Sequence, residues 1–322
     1  MRACVTDLQK AIQERLLETN PDRVFIATSG GLDSQALLHA CLSLELKTPI
    51  FKACFVDYGS AHSPNAYEAV KELCEKHDVQ VLVYNVERDA PAGDSQEAYW
   101  RKRRYAWFAS LLENANDVLF TAHHQEDQAE TFLLQLCRGA GLSGLSAMPH
   151  EQALGQGIFC RPFLDISKET LEAYVKEHRV PYVDDPSNDE ARYARNFMRQ
   201  NVMPALKKRW GSVASTISRS AEHCQEAQGL LNELATLDTG VSSPIPFGSR
   251  LKADGLLGLS AARQRLAIRH WMQAQGVRMP PLVQLDALLL QLTAGPDKHP
   301  HMLLGDCYIR RDREGWFLER KT

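Results

Sequence analysis

Six residues, Ser29-Gly30-Gly31-Leu32-Asp33-Ser34, lie between an apolar β-rich stretch and an apolar pattern of helical period. Glycine at the mouth of a helix leaves backbone N–H groups open and aims the positive end of the helix dipole outward. The chemistry expected there is anion binding. Ser29 and Ser34 add hydroxyl donors, and Gly30 and Gly31 are expected to permit positive φ and close approach of phosphate oxygens. The lysine of a Gly-Lys-[Ser/Thr] phosphate loop is missing, and so is the Gly-x-Gly-x-x-Gly spacing of a dinucleotide site. An acid, Asp33, occupies the turn instead. A carboxylate beside phosphates is tolerable where it helps hold Mg2+. That points to pyrophosphate held as a leaving group while an α-phosphate is attacked.

A second group gathers in "TAHHQEDQAET", residues 121–131. A helix starting near Gln125 puts Asp127, Glu130 and Thr131 on one face. Ala129, Phe132, Leu133 and Leu136 fall opposite and are expected to pack on a sheet, while Glu126 and Gln128 read as solvent-facing. With His123 and His124 just before the helix, one crevice receives two imidazoles and two carboxylates. That set suits Mg2+ binding or general-base help to an amine nucleophile.

These groups need elements to position them. Strands are expected at 23–28, 50–56, 79–86 and 117–122, with helices at 33–46, 65–78, 98–113 and 125–137 between them. Apolar strands alternating with helices predict an α/β fold with a parallel sheet covered on both faces. Ligands in such sheets bind beyond the carboxyl ends of the strands, where the strand order switches. A helix is expected at 167–178, helices resume near 193, and the Gly/Ser/Pro-rich stretch 237–250 reads as a linker. Beyond it, 260–275 and 281–293 look helical, and 301–318 reads as a hairpin turning at "DREG".

At 322 residues the chain has room for two domains, and its longest apolar runs fall far short of a membrane span. The eight cysteines include no Cys-x-x-Cys pair and read as reduced core residues of a cytoplasmic protein. The net charge of −3 is uneven. Seven basic residues and no acid lie between Ala191 and Ala221, and "YWRKRRYAW" sets four cations among aromatics at 99–107. Two such clusters in a weakly acidic protein point to a polyanionic partner.

The turn Ser29–Ser34 resembles the PP-loop of the N-type ATP pyrophosphatases, which adenylate a substrate oxygen and release pyrophosphate. The stretch 121–149, with its trailing "RGAGLSGLSAM", resembles the His-His-x-Asp-Asp-Gln-Ala-Glu-Thr segment of the tRNA(Ile)-lysidine synthetase family. "WRKRRY" is similar to that family's Ala-Arg-x-x-Arg-Tyr helix and "RPFLDISKETLEAYV" to its Arg-Pro-Leu-Leu segment. "VDDPSNDEARYARNFMRQNVMPALKKRW" is similar to its Asp-Asp-Ser-Asn … Arg-Asn-x-x-Arg run. Glu126 stands where the family commonly has Asp, and Ala98-Tyr99-Trp100 is bulkier than usual. Many members carry a further small C-terminal domain that helps hold tRNA, with no counterpart in this sequence.

The resemblance implies a Rossmann-like PP-loop ATPase domain at 1–215, a linker helix and loop at 216–250, and a smaller, mainly helical, tRNA-contacting domain at 251–322. It implies ATP and Mg2+, free L-lysine, and the isoleucine tRNA with a CAU anticodon, with no membrane; a homodimer is left open. Ser29, Gly30, Gly31, Leu32 and Ser34 would contact the nucleotide phosphates, Asp33 would orient the α-phosphate with the metal, and Asp57 would lie near the adenosine. His123 would face the leaving phosphate, and Asp127 and Glu130 would bind or deprotonate the lysine amine. Arg101, Arg104 and Arg195 would hold the cytidine or balance charge. Arg161, Asn188, Arg199, Lys207, Lys208 and Arg209 complete the substrate-binding candidates. The alternatives are a thiolating PP-loop enzyme acting on tRNA, which would need cysteines, and a nucleotide-binding regulator that does not turn ATP over.

Overall fold

The structure is a computed structural model that describes residues 6–87, 90, 95–184, 194–252, 255–277, 279–280, 282–292, 301–304, 307–312 and 314–321. It divides into two compact units, 1–225 and 226–322.

The first unit opens with α1 (Asp7–Thr19), whose cap Thr6 accepts from the Gln9 N–H. Then β1 (Arg23–Thr28), α2 (Leu32–Leu42), β2 (Ile50–Asp57), α3 (Ser63–Lys76), β3 (Gln80–Asn85), α4 (Gln96–Leu111) and β4 (Asp117–Phe120) alternate along the chain. They are followed by α5 (Gln125–Cys137), the short α6 (Leu142–Leu145), β5 (Glu151–Leu154), β6 (Gly157–Cys160) and α7 (Lys168–His178). The strands form one sheet in the order β3-β2-β1-β4-β6-β5, parallel except for β5 against β6. Alternate residues feed two cores. Val24, Ile26, Phe55 and Phe120 face one side of the sheet with α1, α2, α3 and α7. Phe25, Cys54, Leu119 and Phe159 face the other, against Phe108 and Leu112 at the end of α4. The chain leaves β1 for β2 on one side and returns to β4 on the other, so the switch in strand order lies between β1 and β4.

The strand pair β5–β6 is absent from the sequence expectations. Each strand is four residues long, too short for alternation to show, and the turn residue Gly155 has φ +58°. Past α7, residues 194–209 form α8 (Ala194–Phe197), a π-turn (Met198–Val202) and α9 (Met203–Arg209). The helix α10 (Val213–Thr239) contains the division between units.

In the second unit, α11 (Ala261–Ala274) and α12 (Leu282–Leu292) share a core with the antiparallel sheet of β7 (His301–Leu304), β8 (Cys307–Arg311) and β9 (Trp316–Arg320). Trp271 and Trp316 are fully buried in that core. The expected hairpin at 301–318 is thus three strands, and the expected mainly helical unit carries a sheet. The β8–β9 turn is fastened where Asp312 Oδ1 accepts from the N–H groups of Glu314 and Gly315. Among the described residues no helix is long and apolar enough to cross a membrane.

Candidate active site

The phosphate turn sits just beyond β1. Gly31 caps α2 without a side-chain hydrogen bond, so the first N–H groups of the helix are left for another acceptor. Of the two glycines Gly30 uses the positive-φ region, at +80°, and Gly31 is at −78°. A Cβ on Gly30 would come within 2.7 Å of both Cβ and the carbonyl oxygen of Ala66 in α3. The Ser34 hydroxyl is committed to the turn: it donates to Gly31 O at 3.0 Å and accepts from Ser29 N at 3.1 Å. The loop after α7 passes close by, with Val183 N donating to Gly30 O at 2.9 Å. Asp33 leaves one buried oxygen, Oδ1, without a hydrogen-bond partner.

Across the switch, His123 and His124 follow β4 and differ sharply. Burial pushes His123 down to about 3, against the pull of Asp127 and with Arg195, Arg161 and Arg104 adding to the shift, so it is neutral. Its Nδ1 lies 2.8 Å from Thr121 Oγ1. His124 is buried too, which works against charge, but three carboxylates outweigh the burial and raise it to about 10. Nδ1 lies 3.2 Å from Glu126 Oε2, and Nε2 lies 3.5 Å from Asp127 Oδ2 and 3.6 Å from Asp33 Oδ2. Both ring nitrogens therefore face acceptors, as a doubly protonated imidazole requires. His124 thus joins the phosphate turn to α5, a link that a reading centred on His123 misses.

The buried face of α5 is its polar first turn. Glu126, Asp127, Gln128 and Glu130 are all buried, whereas Leu136 is 52% exposed. The expected packing of its apolar face on the sheet is therefore corrected. Ala129 packs instead with Met203, Val213 and Ala214, and Leu133 adds to that cluster. Glu126 and Gln128 are not solvent-facing either. Gln128 is locked to both backbone groups of Met148, at 2.8 and 2.9 Å. Burial opposes charge on Glu126, but His124 and Lys207 hold it ionised, down to about 2. The sequence signal for this was the crowding of acids in a helix's first turn, where the dipole favours them.

Arg195 and Arg199 cover this turn. Arg195 reaches Asp127 Oδ1 at 2.8 Å and Glu130 Oε2 at 3.0 Å; Arg199 reaches Glu130 Oε1 at 2.8 Å and Asp127 Oδ1 at 3.1 Å. Asp127 Oδ2 accepts from His124 N at 3.0 Å. Burial would raise Asp127, but the positive charges of His124 and Arg195 hold it far below the carboxylate range. All four oxygens of Asp127 and Glu130 are thus engaged, so the expected free amine-binding carboxylates are paired with arginines.

Beside His123, whose ring centroid is 6.4 Å from that of Phe159, lies an aromatic and cationic wall. Arg101 and Arg104 flank the Tyr105 ring at 4.9 and 5.4 Å, and Arg161 lies 4.1 Å over Phe159. Arg161 also donates to Pro149 O at 2.6 Å. Arg104 Nε, Arg161 Nε and Trp100 Nε1 are buried donors without partners. Asp57, at the end of β2, accepts from Gly59 N at 2.6 Å and so braces its own turn. Lys207 is held by Glu126 and Glu169, each at 3.0 Å, whereas Lys208 and Arg209 are exposed. Asn188 lies outside the described residues.

The PP-loop domain family matches residues 4–206, and the TilS substrate binding domain family matches residues 251–315. The tRNA(Ile)-lysidine synthase of Coxiella burnetii (strain RSA 493 / Nine Mile phase I) is 38% identical over 318 residues, covering 98% of this chain and 70% of that protein. This chain belongs to the tRNA(Ile)-lysidine synthase family. The family member of Pseudomonas fluorescens (strain Pf0-1) is 40% identical over 294 residues, 89% of this chain. The chain spans 66% of that relative's length. Family membership makes the protein a PP-loop, ATP-binding, tRNA-modifying ligase. Among solved structures, the U34-tRNA thiolase NcsA from Methanococcus maripaludis aligns with a TM-score of 0.56 at 14% identity, over 68% of this chain and 78% of that one. That likeness concerns the fold alone.

The two histidines tie stability to pH in opposite directions. Histidine in an unfolded chain titrates near 6.5. His123, lowered to about 3, makes stability rise with pH up to about 6.5, because the unfolded state binds the extra proton. His124, raised to about 10, contributes stability that is complete below 6.5 and is lost as pH climbs toward 10. The melting temperature should therefore fall between pH 7 and pH 10, and His124→Gln should flatten that limb. An equal alkaline slope in the variant would contradict the assignment of charge to His124.

Proposed function

We propose that the protein joins free lysine to the wobble cytidine of the isoleucine tRNA with a CAU anticodon, in two steps. The cytidine carbonyl oxygen first attacks the α-phosphorus of ATP, the bond to the β-phosphate breaks, and pyrophosphate leaves. The lysine ε-amine then attacks the ring carbon that bears the adenylated oxygen, the bond from that carbon to oxygen breaks as AMP departs with the oxygen, and the amine gives up a proton. The observation that carries this reading is the link through His124 between the phosphate turn and the Asp127–Glu130–Arg195–Arg199 cluster. It sets an ATP-activating half against a charged half that a nucleotide sensor would not need.

In this reading the open N–H groups of Leu32 and Asp33 take the phosphate oxygens, with the Ser29 hydroxyl beside them. The unpartnered Oδ1 of Asp33 suits Mg2+, which is commonly held by one or two carboxylates plus phosphate oxygens; the metal would supply charge neutralisation there. Neutral His123 lines the site without adding charge, and the positive charge near the pyrophosphate comes from His124. Arg104 and Arg161 offer buried N–H donors to the base and its phosphate, and Arg101 extends that wall outward. Asp127 and Glu130 orient Arg195 and Arg199, and lysine's ammonium reaches a carboxylate by exchange with one guanidinium. Asp57 stays near the adenosine. A tRNA partner implies work in the cytoplasm.

ATP with tRNA but no lysine should release pyrophosphate and build up adenylated tRNA. Release that ignores tRNA would favour a plain nucleotide hydrolase. Exposed Lys208 and Arg209 serve the tRNA backbone in this reading. The double change to alanine should weaken tRNA binding and shrink its salt slope by about one to two. An unchanged slope would remove them from the interface.

A further inference from the structure

Glu126 is 7% exposed and works as a junction. Its Oε2 accepts from Lys168 N at 2.9 Å and lies 3.2 Å from His124 Nδ1, while Oε1 takes Lys207 Nζ at 3.0 Å. Lys207 divides its ammonium between Glu126 and Glu169 of α7. On the far side of the imidazole, Nε2 lies 3.6 Å from Asp33 Oδ2. An unbroken run of polar contacts therefore leads from α9 through Glu126 and His124 to the carboxylate of the phosphate turn.

We propose that Lys207 and Glu126 are positioning residues for adenylation: their ion pair holds the His124 ring against Asp33 and fixes which way that carboxylate faces. The proposal rests on the reading that Asp33 works at the ATP phosphates. Three features of the geometry favour it over a cap or a tRNA contact. A cap for α7 needs one oxygen of Glu126, and Oε2 already supplies it to Lys168 N. The second oxygen is spent on a cation from a different element. Lys207 also turns inward, whereas its neighbours Lys208 and Arg209 are exposed. Without the lysine, Oε1 loses its partner and Glu126 can rotate away from the imidazole. Asp33 Oδ2 then loses the group that restrains it, and Oδ1 is no longer aimed.

The test is single-turnover pyrophosphate release by the full chain with ATP, Mg2+ and tRNA. It compares wild type, Lys207→Met, Lys207→Arg, Glu126→Gln and the Lys207→Met/Glu126→Gln double variant, with melting curves on the same preparations. Lys207→Met and Glu126→Gln should each slow release about tenfold at saturating substrates, the scale on which misplaced catalytic groups act, with KM for tRNA unchanged. Because both act through His124, the double variant should be no slower than the worse single, and Lys207→Arg should recover most of the rate. A hundredfold loss in the double variant would overturn the proposal. So would a raised tRNA KM with an unchanged rate, which would make Lys207 a direct tRNA contact. Slowing that simply follows the fraction unfolded in the melting curves would overturn it as well. Wild type without tRNA-dependent pyrophosphate release would refute the underlying reading, and the positioning role with it; active wild type with any of the other results refutes the positioning role alone.

Discussion

Replacing Glu130 by alanine is expected to destabilise the first unit by about 3 kcal/mol and to abolish lysine transfer to tRNA. Glu130 is 1% exposed, and both its oxygens are held by arginines at 2.8 to 3.2 Å. Its removal leaves the Nε groups of Arg195 and Arg199 without their acceptor, and only Asp127 Oδ1 remains to both guanidiniums. Breaking a buried pair by deleting one partner costs about 3–5 kcal/mol. The lower end applies because the arginine side chains are 36% and 37% exposed, where solvent screens part of the loss. Glu130→Gln keeps the shape and one acceptor, so it should retain more stability than alanine while still misplacing the arginines. Urea unfolding of both variants, with transfer assayed on the same preparations, checks this. A loss below about 1 kcal/mol in the alanine variant would mean that the arginines find other partners.

Gly30→Ala should be the more damaging change for ATP binding. At φ +80° an alanine is strained by about 1–2 kcal/mol, and the added methyl would press into the Ala66 backbone of α3 at 2.7 Å. The neighbour is backbone, not the end of a flexible side chain, so the turn itself must move. A shift near 1 Å at a phosphate-binding turn costs on the order of a hundredfold in rate. Gly31→Ala is the control, because its φ is −78° and its added methyl would meet only ordinary contacts, 3.5 Å from Ser29 Oγ. Calorimetric titration with ATP and Mg2+ should show binding lost in the first variant and largely kept in the second. Equal loss in both would make the turn's two glycines interchangeable and the Ala66 contact irrelevant.

The turn at 29–34 and the helix at 125–137 were legible because each rests on local rules. Glycine beside a helix start marks the first, and the second begins and ends where its polar first turn and apolar period say. The parallel sheet was legible from alternating strands and helices, with β1 at 23–28 as expected. The direction in which α5 faces was not. A helical wheel assumes that carboxylates seek water, and nothing near residue 126 reveals that Arg195, Arg199 and Lys207 return some seventy to eighty residues later to cover them. The opposite charge states of His123 and His124 were hidden for the same reason. The two are adjacent in sequence, yet one is lowered by burial among arginines and the other is raised by three carboxylates. The two carboxylate partners of Lys207 were hidden too, because composition counts charges and not their partners.

In the proposed reaction the protein uses ATP to join lysine to one base of one tRNA. The direct measurement is incorporation of radiolabelled lysine into tRNA by the protein with ATP and Mg2+. It uses two transcripts of the isoleucine tRNA that differ only in the wobble base, cytidine or uridine. Label should enter the cytidine transcript alone, require ATP, and appear mole for mole with AMP and pyrophosphate. Absence of label from the cytidine transcript while ATP is consumed, or equal labelling of both transcripts, would contradict it.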